Sequence, residues 1–287
     1  MKKNVTKHVL GDVYLFLDSY LSEHIEENLV VTGLEFSNLG AQGRTPLFDA
    51  SYTETGDIMA YWKDSHRNCI VITAPQPGYE IKSPRRMCSF FHGEVCHYFK
   101  ITHLDVSNTT DFSCCFKRFG FGEKNEETPS SGIIGLETWD VSKGENFAFM
   151  FDSAFPANKS ISLDLSSWRF NLNKGIRFWN MFQGFGLQAN KVILDVSGWN
   201  TTNVYDFDQM FKQFAPHAKT VELRGIEDWC LGTGSISLDY TFDGFAKESS
   251  CCLDLSKWSI GRAQKPRMEN FSNGVFFRIK EPTWENY

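Results

Sequence analysis

The sequence predicts an α/β solenoid, a stack of about seven strand-plus-short-helix units of roughly thirty residues behind an N-terminal α+β cap. Three observations predict it. Tryptophans recur at a near-constant interval, a phenylalanine follows each of them at a near-constant distance, and an alternating aliphatic segment precedes most of them.

Trp139, Trp168, Trp199, Trp229 and Trp258 are spaced 29, 31, 30 and 29 residues apart, and Phe151, Phe182, Phe211, Phe242 and Phe271 follow them by 12 to 14 residues. The period survives while small insertions are absorbed, which is how loops in a repeat behave. Counting back twelve from Phe116 reaches Leu104, and twelve from Phe91 reaches Tyr79, so two upstream units keep the frame with another large residue in the Trp position. A second ring, at Phe119, Phe155, Phe185, Phe214 and Phe245, lies three or four residues after the first. That is the spacing of neighbours on a helical face, and it predicts a short helix at this end of each unit.

Ahead of the Trp residues, Ile161-Ser162-Leu163-Asp164, Val192-Ile193-Leu194-Asp195 and Cys252-Leu253-Asp254-Leu255 alternate as half-buried strands do. Val221-Glu222-Leu223-Arg224 fits the same place less regularly, and Leu104-Asp105-Val106-Ser107 aligns equally with the strand or with the Trp position. One strand and one short helix cannot bury their own apolar face, so stacked copies must bury one another's. Leu163, Leu194 and Leu253 are expected in an aliphatic ladder, with the Trp and Phe series in aromatic ladders beside it.

With this frame set, Trp199-Asn200-Thr201-Thr202-Asn203-Val204-Tyr205-Asp206-Phe207-Asp208-Gln209-Met210-Phe211 closely resembles the repeat of the BspA-like leucine-rich-repeat surface protein family. That repeat runs Trp-Asp-Thr-Ser-x-Val-x-Asn/Asp-Met-x-x-Met-Phe. Trp139-Asp140-Val141-Ser142 through Phe151 matches it at the same length, and the resemblance covers roughly Tyr79 to Phe271. It implies a leucine-rich-repeat-like stack with an adhesive or interaction role, and no catalytic residues. Typical members carry a signal peptide and an anchor. Here Lys2, Lys3 and Lys7 precede an apolar stretch, Val13 to Leu17, fenced by Asp12 and Asp18 and too short for a secretory signal. The expectation is therefore a soluble protein, intracellular or virion-associated.

Before Tyr79 the repeat frame disappears. Val13, Leu17, Tyr20, Leu21 and Ile25 predict one amphipathic helix within Asp12 to Asn28, and Cys69-Ile70-Val71-Ile72 predicts a buried strand. The chain is thus divided into an N-terminal cap over 1–78, repeats over 79–275 and a tail over 276–287.

Composition and motifs narrow the chemistry. A net charge of −6, from 29 basic and 35 acidic residues, offers no footprint for a phosphate backbone, which argues against nucleic acid. No apolar run approaches a membrane span. The eight cysteines are dilute and include two adjacent pairs, so reduced thiols are expected. Cys88, His92, Cys96 and His97 have the best metal-ligand spacing, but structural zinc motifs pair ligands two to four apart on a turn, and Cys88 falls inside the first repeat. No metal or cofactor is expected. Asp164, Asp195, Glu222 and Asp254 are expected to form an exposed acidic ladder, each Asp more readily capping local backbone N–H groups than binding calcium. No nucleophile elbow, phosphate loop or zinc helix is present, and His103 near Asp105 reads as a surface pair. The sequence therefore expects a non-enzymatic scaffold that binds a protein, or secondarily a glycan, through the repeat surface. The alternative is a structural component of a virus particle or other large assembly. Oligomeric state is open at this stage.

Overall fold

The computed structural model describes residues 4–24, 29, 31–88, 90–91, 98–120, 132–156, 158–232, 235–260, 265–275 and 278–283. The helix Val13–Glu23 is the one α-helix among them. It buries Leu17 and lays Leu21 against the core, and its Phe16 ring lies 6.4 Å from Phe48. Beside it runs a six-stranded sheet in the order Phe48–Asp49, Met59–Trp62, Cys69–Thr73, Gly33–Phe36, Tyr98–Lys100, Ile133–Ile134. The first two junctions are antiparallel and the rest parallel. Cys69–Thr73 lies inside the sheet and is buried along its whole length, as a β-branched run covered on both faces should be. This sheet draws strands from both sides of position 78, and one apolar core joins described residues from Leu10 to Ile279.

The strand-plus-helix α/β solenoid expected from the sequence is not what forms. Among the described residues no repeat unit contributes an α-helix, and the strands fall into one six-stranded sheet and five separate sheets of two or three strands. The expected short helix is a run of tight turns. In the unit after Trp168, Met181 N–H closes on Phe178 O at 2.9 Å, Gln183 on Asn180 at 3.2 Å and Phe185 on Phe182 at 3.2 Å. The alternate N–H groups leave the unit altogether. Phe178, Asn180, Phe182 and Gly184 donate to Asp206, Asp208, Met210 and Lys212 of the next unit, each at 2.9 Å. An α-helix would keep all of these bonds within its own segment. Here half of them tie one unit to the next.

Exporting every second N–H requires the backbone to reverse its handedness at regular places. Asn180 (φ 56°) and Gly184 (φ 61°) take the left-handed conformation, as do Phe149 and Ser153, Gln209 and Gln213, and Tyr240 and Gly244 in neighbouring units. A non-glycine residue there is unfavourable by about 1 kcal/mol, which the cross-unit hydrogen bonds offset. Rings three residues apart meet in a turn closed by an i to i+3 bond as well as on a helix, so spacing alone misassigned the element.

Three of the alternating segments do form strands. Ser160–Asp164, Lys191–Asp195 and Thr220–Arg224 pair in parallel and in register. Ile161, Val192 and Val221 line up inward, as do Leu163, Leu194 and Leu223. Leu253, expected in this ladder, instead pairs with Ile279 in a separate two-stranded sheet. Upstream, Tyr79–Lys82 pairs with Asn4–Val9 on one side and with Leu104–Asp105 on the other. Leu104 therefore takes the strand alignment, opposite Ile81, and neither it nor the exposed Tyr79 stands in a Trp position.

The rings stack along the repeat axis. Phe116, Phe151, Phe182, Phe211 and Phe242 form one column with centroids 5.3 to 5.7 Å apart and neighbouring planes within 15°. Trp168, Trp199, Trp229 and Trp258 form a second, at 5.6 to 6.4 Å. Trp139 is buried against Phe112 and Phe116. Phe271 departs from its expected place. Phe242 N–H bonds to Phe271 O, as Phe211 does to Thr241 and Phe182 to Met210, so Phe271 stands in the Met column and Ser272 takes the terminal Phe position. The one-residue offset turns its ring edge-on, 82° to Phe242.

Two turn chemistries precede the tryptophans. Asp164, Asp195 and Asp254 each accept the N–H of the Ser two residues on, at 2.9 to 3.0 Å. In the units of Trp139 and Trp229 the Asp is replaced by a glycine with positive φ, Gly135 or Gly225, whose N–H donates to Glu137 or Glu227. The indole N–H groups divide the same way. Trp168, Trp199 and Trp258 donate to Leu136 O, Leu165 O and Ile226 O of the preceding unit, whereas the buried Nε1 atoms of Trp139 and Trp229 have no partner among the described residues. Trp229→Phe removes an unsatisfied buried donor, while Trp199→Phe removes a bonded one. In urea titration the first is expected to cost about 1 kcal/mol less than the second.

Candidate interaction surface

The turn runs place outward side chains in columns, one residue per unit. One column reads Arg86, Asp111, Asn146, Arg177, Asp206, Ser237, Arg267 through successive parallel bridges. Like charges in such a column would sit about 5 Å apart and repel. Alternation removes the conflict: Arg177 Nε donates to Asp206 Oδ2 at 2.8 Å, and Asn146 Nδ2 donates to Asp111 Oδ1 at 3.1 Å. Nearby, Lys117 pairs with Asp152 at 2.9 Å and Lys212 with Asp243 at 3.6 Å.

The same cations cover half-exposed rings. Lys117 Nζ lies 4.6 Å from the Phe149 ring centre, the Arg177 guanidinium 4.4 Å from that of Trp179, and Lys212 Nζ 4.9 Å from that of Tyr240. Phe149 and Trp179 meet edge to face at 4.6 Å, and Tyr205 is largely exposed. No sequence periodicity marked these rings, because they sit outside the regular Trp and Phe frame.

The expected acidic ladder is shorter than the sequence suggested. Asp164 lies beside Asp195, but the register sets Arg224 beside Asp195 and places Glu222 opposite Ile193. Arg224 lies 3.9 Å from the Asp195 carboxylate and also pairs with Glu222. Asp254 lies beside Lys280, whose ammonium is 2.9 Å away. The Ser256 hydrogen bonds, with Lys280, hold the Asp254 carboxyl down at about 2. Each of the three Asp residues thus caps a turn, and two of them face a cation.

A second acidic group gathers farther along the turn face. Asp208 Oδ1 accepts the Asp239 N–H and Asp239 Oδ1 accepts the Glu269 N–H, both at 2.8 Å. Burial pushes the Asp208 carboxyl above its ordinary value, and Asp206 and Asp239 add to the rise. A carboxyl raised on folding binds its proton more tightly in the native state. Its contribution to stability is greatest at low pH and falls as pH rises through the folded pKa. Asp208→Asn keeps the acceptor and removes the charge. It is expected to raise stability at pH 7 by roughly 0.5 kcal/mol, and thermal melts should show the gain closing at acidic pH.

Of the metal candidates, Cys88 is exposed, and His92, Cys96 and His97 lie outside the described residues. Among the described residues no group of three or more His, Cys, Asp or Glu side chains is placed to hold a metal. Cys115, Cys230, Cys251 and Cys252 are free thiols, and burial pushes Cys115 well above the usual thiol range. His103 bonds not to Asp105 but to the buried Glu80, at 2.9 Å. No helix among the described residues is long and apolar enough to cross a membrane.

No curated protein and no solved structure matches the chain. A family described as "Mycoplasma protein of unknown function, DUF285" matches it twice, over residues 73–184 and 100–229. The overlapping matches span the stacked units from the strand Tyr79–Lys82 to Trp229, more than half of the sequence. The chain therefore belongs to the DUF285 repeat family.

Proposed function

We propose that the chain is a non-enzymatic interaction scaffold that binds a protein partner through the turn-built face of its repeats. The observation that carries this reading is the set of half-exposed aromatic rings held under cations, Phe149 with Lys117, Trp179 with Arg177 and Tyr240 with Lys212. Large rings and arginines dominate binding energy at protein interfaces, because they bury much area at little entropic cost. Here the cross-unit bonds already hold them in place, which lowers the cost of docking. The likeness of Trp199 through Phe211 to the BspA-like leucine-rich repeat supports the same role and admits a glycan as a second class of partner.

The test is affinity capture from the native source on immobilised wild type and on Trp179→Ser/Tyr240→Ser. The wild type is expected to retain one partner saturably, and the variant to bind it roughly tenfold more weakly with an unchanged melting temperature. Equal retention by both would overturn the assignment of the face. Stoichiometric incorporation into a particle would favour a structural component instead.

A further inference from the structure

A groove of about 340 Å³ opens where the first stacked units meet, lined by Arg85, Arg86, Thr110, Asp111, Glu145 and Asn146. Its acids are engaged. Asp111 Oδ1 accepts the Ser113 N–H at 3.0 Å and the Asn146 amide at 3.1 Å, and Glu145 pairs with Lys174 at 3.2 Å. Its two arginines are not. Both side chains are exposed, and neither guanidinium has a hydrogen bond or ion pair among the described residues. One column holds both situations. Arg177 bonds to Oδ2 of Asp206 in the unit beside it, whose Oδ1 accepts the Asp208 N–H, while Arg86, bridged in the same way to Asp111, makes no such bond, although Asp111 also spends only its Oδ1, on Ser113 and Asn146.

We infer that this groove is a subsite for a carboxylate of the partner, the side chain of a Glu or Asp in an extended peptide segment lying across Arg85 and Arg86. This rests on the scaffold reading and names the chemistry of its partner. Each guanidinium offers a planar fork of donors matched to a carboxylate. The bound acids, Asp111 and Glu145, line the same groove and repel a densely charged polyanion more strongly than an isolated carboxylate on a neutral backbone. The volume is at the small end of ligand pockets, enough for a side chain and its flanking peptide groups.

The test is NMR titration of the arginine Nε–H signals with acetyl-Gly-Glu-Gly-amide, acetyl-Gly-Gln-Gly-amide, glucuronate and sulfate. The Glu peptide is expected to shift two arginine signals saturably in the roughly millimolar range. Followed at the backbone amides of Thr110, Asp111 and Asn146, which line the groove and persist in every variant, the response should vanish in Arg85→Gln/Arg86→Gln and weaken in Arg85→Lys/Arg86→Lys, which keeps the charge and loses the fork. An unsaturable response, an equal response to the Gln peptide, or equal binding of sulfate would overturn the proposal. Tighter binding of glucuronate would transfer the site to a glycan and overturn the peptide assignment. These probes need no natural partner, so the outcome is independent of the scaffold reading. A captured partner that binds Arg85→Gln/Arg86→Gln undiminished would overturn the subsite alone.

Discussion

Trp199→Ala is expected to destabilise the protein by about 3–5 kcal/mol, the cost of removing a large ring from a close-packed column. Trp199 is 6% exposed, lies between Trp168 and Trp229 in near-parallel stacks, and also meets Phe170 and Phe178. Its indole N–H donates to Leu165 O at 2.8 Å, which already takes the Trp168 N–H in its own turn. Truncation therefore opens a cavity and unties two units at once. Asp195→Ala in the same unit removes one turn-capping acceptor from a half-exposed side chain, and should cost about 1 kcal/mol. Urea titrations of the two variants separate the cases. Equal midpoints would mean that the tryptophan column does not hold the units together.

Gly225→Ala is expected to be nearly as damaging, although it adds one methyl group. Gly225 has φ 86°, and a Cβ there would sit 2.0 Å from Ser197 Cα and 2.4 Å from Ser197 N of the preceding unit. Backbone cannot rotate away as a side chain can. The left-handed penalty of about 1–2 kcal/mol adds to an overpacking cost of about 1–3 kcal/mol, so a loss of about 3–4 kcal/mol is expected. Gly43→Ala is the control. Gly43 has φ 75° but nothing within 4 Å of an added Cβ, so only the conformational penalty remains. Thermal melts in which the two variants fall together would show that close approach of the units is not limiting.

The repeat period and most of the stacked rings were legible in the sequence because Trp168, Trp199, Trp229 and Trp258, like Phe116, Phe151, Phe182, Phe211 and Phe242, occupy equivalent sites in successive units. The stacking geometry then follows from the frame. The helix was misread because its signal, rings three residues apart, is shared by a turn. What separates the two is the destination of the alternate N–H groups, which composition does not reveal. The same limit applies to the acidic ladder. Asp164, Asp195 and Glu222 look alike as outward acids, but parallel register sets Arg224 beside Asp195 and moves Glu222 opposite Ile193. Phe271 shows it at the level of a single residue. The Trp-to-Phe count ends on it, yet the backbone bond from Phe242 places it in the Met column.

Sequence alone determined that the large rings recur and at what interval, because apolar burial imposes its period on the residues themselves, but it set the exposed Tyr79 in a buried frame. The tertiary structure decided how the backbone closes between those side chains and which polar groups become neighbours. Those outcomes depend on hydrogen bonds from one unit to the next, across some thirty residues of chain, and no local pattern encodes the partner of an N–H that leaves its own segment.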